Sequence, residues 1–95
     1  MKKVAVLIRD TSQHYEGLRT SLGMTLYRTI VTMFVLDHKI VAMDEAFREN
    51  MEMFDEMEGE RYSDNLKNVE KYGFKFVSKE QIGDMLSNMD LVIPF

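Results

Sequence analysis

The sequence predicts an α/β fold: a small single-domain three-layer sandwich with a parallel, doubly wound sheet of about four to five strands flanked by helices. Three observations point there. The unbroken apolar runs Val4–Ile8 and Ile30–Leu36 have the composition of strands covered on both faces. Stretches with helical periodicity lie between and after them. Strand and helix then alternate to residue 95, and that alternation calls for right-handed crossovers and helices on both faces of a parallel sheet.

The first strand, Val4–Ile8, ends abruptly at Arg9-Asp10. The polar loop Thr11-Ser12-Gln13-His14 is rich in helix-capping types and precedes a helix with Leu18, Leu22 and Leu26 on one inward stripe. Gly17 and Gly23 each weaken that helix by about 1 kcal/mol relative to Ala, and close approach of helix to sheet is the expected reason for Gly23. The second strand, Ile30–Leu36, is rich in β-branched and aromatic residues and stops at Asp37-His38. A long helix follows over roughly Met43–Met57. Met43, Phe47, Met51 and Phe54 form its inward stripe, which Ala46, Met53 and Met57 widen.

Glu58-Gly59-Glu60 breaks the pattern, and Glu58–Ser63 reads as a loop. Asp64–Tyr72 is a short helix with Leu66 and Val69 inward and Gly73 as its stop. Phe74–Val77 is the third strand. Ser78-Lys79-Glu80-Gln81 fits a capping box, opening a helix with Ile82, Met85, Leu86 and Met89 on one face. Leu91-Val92-Ile93 is the fourth strand, closed by Pro94 and Phe95.

Composition narrows the function classes. A hydrophobic content of 45% in 95 residues supports one packed core and excludes a disordered chain. No apolar run approaches the length of a membrane span, and Val4–Ile8 is too short for a secretory core, so no membrane partner and a cytoplasmic location are expected. The cysteine count is zero, which excludes disulfides, thiolate metal sites and cysteine nucleophiles. The net charge of −4 is unevenly spread: residues 1–43 hold six Lys/Arg against three Asp/Glu, whereas residues 44–60 hold eight acids against Arg48 alone. That acidic block argues against a nucleic-acid partner.

The order of elements carries a resemblance. The strand KVAVLIRD, the helix EGLRTSLGMTL and a buried strand ending in a polar turn are similar to the DsrE-like (TusD-like) sulfur-relay family, as are SDNLKNVEKYGF and the terminal MDLVIPF. The resemblance spans nearly the whole chain, residues 1–95, as a single domain. It implies a small α/β protein that assembles into homo- or hetero-oligomers. Catalytic members carry sulfur as a cysteine persulfide near the start of the helix that corresponds here to Ser63-Asp64-Asn65. Neither Ser nor Asn forms a persulfide. The implied protein is therefore a member without the active thiol: a non-catalytic subunit or binding module of an oligomeric assembly related to sulfur relay.

In doubly wound sheets ligands bind outside the carboxyl ends of the strands. That rule puts the loop Arg9–Tyr15 and the turn Asp37–Lys39 on one edge, with Glu58–Ser63 at the opposite end of its strand. The alternative function is a small-ligand or nucleotide-phosphate binder using Arg9, Thr11, Ser12, His14, Asp37 and His38 for a small anion. Thr11 or Ser12 acting as a plain helix cap explains the same residues. A third reading, an enzyme assembled from His14, His38, Asp10 and Asp37, lacks a recognisable constellation, so no catalytic residue is assigned. No metal and no cofactor are assigned either. Met51 and Met53 lie on different sides of their helix and do not converge on one soft ion. Glu45, Glu49, Glu52 and Glu56 line one helix face, either solvated or set against a basic partner.

Met53 and Met57 extend apolar surface beyond the inward stripe, beside Phe95, and are the expected interface residues. The expected partner is a second copy, as homodimer or homotrimer, or a related DsrE-like subunit.

Overall fold

A computed structural model describes residues 2–40 and 43–95, with the side chain of Thr11 outside the description. Its strands are β1 (Lys2–Ile8), β2 (Thr29–Val35), β3 (Glu60–Ser63), β4 (Lys75–Phe76) and β5 (Leu91–Pro94). The helices are α1 (His14–Met24), α2 (Glu45–Glu56), α3 (Leu66–Tyr72) and α4 (Lys79–Leu86), with 3-10 turns at Thr11–Gln13 and Thr25–Tyr27. The five strands form one parallel sheet in the order β4-β3-β2-β1-β5. β1 and β2 pair along their full length, from Lys2↔Thr29 to Ile8↔Val35.

Alternation along β1 and β2 builds a layer on each face. Val4, Val6, Ile8, Val31, Met33 and Val35 pack against Leu18 of α1 and Phe47, Met51 and Phe54 of α2. Ala5, Phe34 and Leu36 pack against Val77 and Ile82 on the opposite face. The chain steps outward from β1 to β4 with its helices on the first face. It then returns through α4 on the second face to place β5 on the free side of β1. Reversing the direction of travel while keeping right-handed crossovers demands this change of face. No described helix is long and apolar enough to cross a membrane.

Several expectations need correction. Glu60–Ser63 is a strand, not a loop. Its sequence lacks an apolar run because its polar groups find tertiary partners: Arg61 holds the Asp55 carboxylate through Nε and Nη2 at 2.8 Å and donates to the Tyr72 carbonyl at 2.8 Å. The strand expected over Phe74–Val77 shrinks to Lys75–Phe76, flanked by buried Phe74 and Val77. The close approach of α1 to the sheet occurs at Gly17, where a Cβ would collide with the Ile8 side chain, while Gly23 faces open space. Leu26 leaves the inward stripe because α1 tightens into a 3-10 turn before it, and it is 70% exposed. On α3, Leu66 is exposed and Asn68 takes the buried position. The stop at Gly73 (φ 74°), the Ser78–Gln81 capping box and the acidic outer face of α2 stand as expected.

Candidate functional site

All the strands point their carboxyl ends at one edge, and the loops there are tied to one another by side chains. After β1, the Asp10 carboxylate accepts from the Ser12 backbone N–H at 2.9 Å and from the Ser12 hydroxyl at 2.7 Å, which starts the 3-10 turn. These two bonds hold the Asp10 pKa below its ordinary value, with the nearby imidazoles adding to the effect. After β2, Asp37 adopts a left-handed conformation (φ 68°), one that short polar side chains tolerate. Its N–H donates to Asp64 Oδ1 at 2.9 Å, and its carboxylate lies 3.7 Å from Arg9 Nε and 3.6 Å from Lys79 Nζ. Both ion pairs are well exposed, so each contributes at most about 1 kcal/mol. Arg9, Leu36, Asp37, Asp64, Lys79 and Ile82 line a hollow of about 120 Å³.

Behind this surface lies a buried polar knot. Ser63 Oγ donates to the Val35 carbonyl at 2.7 Å and accepts from Asn65 N at 3.1 Å and Asn68 Nδ2 at 3.0 Å. Asn68 also accepts from Ile40 N at 2.8 Å and donates to the His38 carbonyl at 3.0 Å. Asn65 caps α3 by accepting from Lys67 N at 2.9 Å. Among the described residues, no buried side-chain nitrogen or oxygen lacks a partner.

The two histidines meet at the same edge. His38 Nδ1 donates to the Leu36 carbonyl at 2.7 Å, which fixes the tautomer and leaves Nε2 as a lone pair when the ring is neutral. That Nε2 contacts His14 Nε2 directly. The ring centroids are 4.6 Å apart with planes 19° from parallel. The two ring radii and the contact account for nearly all of that separation, so the rings meet edge to edge, nitrogen to nitrogen, rather than face over face. Phe47 closes one side, its ring edge-on to His14 with centroids 6.5 Å apart. Burial, and then the neighbouring His38, push the His14 pKa down, while Asp10 works in the opposite sense.

The structure thus brings His14 to His38 and Arg9 to Asp37, and it commits the Ser12 donors to Asp10. An anion at that turn has to displace the Asp10 carboxylate. Ser63, Asp64 and Asn65 serve as a hydroxyl hub, a clamp on the Asp37 backbone and a helix cap. With Glu60–Ser63 a strand, they lie on the same edge as Arg9 and His38 rather than at the opposite end. Sequence reasoning missed Lys79 and Asn68. The position of Lys79, at the first turn after the carboxyl end of a parallel strand, was a usable signal; Asn68 offered only a polar residue between two apolar helix positions.

A second feature lies between α1 and α2. Arg19, Leu22, Gly23, Leu26, Asn50, Met53 and Met57 line an apolar groove of about 310 Å³. Met53 is 50% and Met57 42% exposed. Phe95 is not beside them. It packs into the core at the carboxyl edge, where its carbonyl accepts from Arg9 N at 2.8 Å and its N–H donates to Leu7 O at 2.6 Å. No family model matches the chain, and no curated protein or solved structure matches it.

Proposed function

We propose that this chain is a non-catalytic binding module that works by assembly, and that a second copy of itself occupies the groove between α1 and α2. One observation carries the reading: the fold leaves Leu26, Met53 and Met57 exposed together around one apolar groove. Arg19, 4.0 Å from Glu16 on its own helix, stands on the α1 side of the groove, and the α2 side rises to the ridge Glu45, Glu49, Glu52 and Glu56. A two-fold axis through the groove brings Arg19 of each copy toward the acidic ridge of the other, the self-complementary arrangement of an isologous dimer. Methionine suits such a surface because it adapts its shape to the partner.

The resemblance to DsrE-like proteins supports an oligomeric subunit and ties it to sulfur relay. The chain contributes no thiol to such a relay. Within Ser63-Asp64-Asn65, the stretch that corresponds to the family's cysteine position, Ser63 is fully buried with its hydroxyl bonded three ways.

Light scattering across micromolar concentrations tests the proposal. The expected mass is twice that of the chain, and Met53→Glu with Met57→Glu shifts it to the monomer while circular dichroism stays unchanged. Arg19→Glu weakens association more at low than at high salt. A monomer at all concentrations overturns the reading.

A further inference from the structure

We propose that His14 and His38 form a two-coordinate site for a monovalent d10 cation, of the Cu(I) or Ag(I) class, held between their Nε2 atoms. The site is separate from the groove and owes nothing to assembly.

Two observations carry it. The imidazoles approach edge to edge with their Nε2 atoms opposed, which sets two nitrogen donors on one line. His38 is held for this role by the bond from its Nδ1–H to the Leu36 carbonyl, the outer support that metal-bound histidines characteristically have. A line of two neutral imidazoles suits ions that accept linear coordination. It does not suit Zn²⁺, which takes four ligands, or Mg²⁺ and Ca²⁺, which require oxygen.

The surroundings fit a single positive charge. Asp10 lies close enough to act on both rings, and its carboxylate offsets part of the unfavourable field at the start of α1. With metal–nitrogen bonds of about 2.0 Å on each side, the two nitrogens part to about 4 Å. His14 supplies that movement: it opens α1 and is only half-buried, whereas His38 is tethered. Binding takes up the His38 Nε2 lone pair, and the proton that His14 Nε2 shares with it moves to His14 Nδ1, so both rings ligate in the neutral form.

Anaerobic titration of the purified chain with Cu(I), against a chromophoric Cu(I) chelator, tests the site. Zn²⁺ is titrated in parallel. The expected result is one Cu(I) per chain and an X-ray absorption edge typical of two-coordinate Cu(I). His14→Gln and His38→Gln each weaken binding at least tenfold. Because the nine methionines offer an alternative soft site, equal Cu(I) binding by both variants means an adventitious ion only and overturns the proposal. So does failure to retain Cu(I) against the chelator, or tighter binding of Zn²⁺. Should a variant not fold, imidazole ¹⁵N spectra of the unmutated chain decide. Ag(I) shifts both Nε2 resonances and spares His38 Nδ1; any other pattern refutes the site.

Discussion

At the carboxyl edge of the sheet, nearly every polar side chain is tied to a partner; in the groove between α1 and α2, Leu26, Met53 and Met57 leave much of their apolar surface uncovered. The edge is where this fold class usually places its chemistry. Here most of it is consumed in holding the loops together, and the Nε2 contact of His14 and His38 is the exception. The groove, in contrast, contributes little to the fold of the single chain. The difference teaches that position in a fold does not assign function; unspent capacity for interaction is the better guide.

If that contrast holds, mutations at the two places separate cleanly. The largest effect is expected for Asn68→Ala. Removing its amide strands the Ile40 N–H, the His38 carbonyl and the third bond of Ser63, and unsatisfied buried groups cost about 1–3 kcal/mol each. Denaturant unfolding is expected to show a loss of about 3 kcal/mol, with self-association of the folded fraction unaltered. A loss below about 1 kcal/mol breaks the comparison, because the knot would then be no more than decoration.

A pH titration sharpens it. The His14 pKa is lowered on folding, so the unfolded chain binds more protons once pH falls below its ordinary value of 6.5. Stability attributable to His14 is complete above that pH and declines below it, through the lowered pKa. Thermal melts from pH 8 to pH 5 are expected to show the decline. His14→Gln removes that component, while Met53→Glu with Met57→Glu leaves it in place. An unchanged slope in His14→Gln assigns the decline to other groups.

The smallest effect on stability is expected at Leu26→Gln. At 70% exposure the side chain has little burial to lose, so denaturation of dilute protein is expected to move by less than about 0.5 kcal/mol. On the proposed assembly, the same substitution is expected to lower the mass measured by light scattering toward that of the monomer. A large drop in monomer stability would show that the groove belongs to the core after all.

Local pattern was enough for elements whose stability is local or whose burial is complete. Val4–Ile8 and Ile30–Leu36 announced the two central strands because both faces of each are covered. The Phe47, Met51 and Phe54 stripe announced α2, and Ser78 with Gln81 announced the start of α4. β3 was illegible. Glu60, Arg61 and Ser63 are strand residues only because Lys75, Asp55, the Tyr72 carbonyl and the Val35 carbonyl receive them, and those partners lie elsewhere in the chain. The site divides in the same way. The topology rule placed His14 and His38 on one edge, yet their contact depends on the turn made by Asp37 and on the His38 tether to Leu36, and neither has a sequence signature. Asn68 bridges three segments, so no single window of sequence reveals its role.

The pairing of β5 with β1 has a kinetic consequence. Lys3 and Asp90, 87 residues apart, exchange two hydrogen bonds, from Lys3 N to the Asp90 carboxylate and from Asp90 N to the Lys3 carbonyl. Phe95 then seals the far end of the same ladder on Leu7 and Arg9. During synthesis, β1 emerges first but keeps one edge bare until residues 91–95 clear the ribosome. A nascent chain can assemble β1 through β4 while its central strand still offers an unpaired, apolar edge to any neighbouring strand. The closing step carries the longest loop-closure cost in the domain, so it is expected to set the folding rate, and a delay there exposes the chain to aggregation.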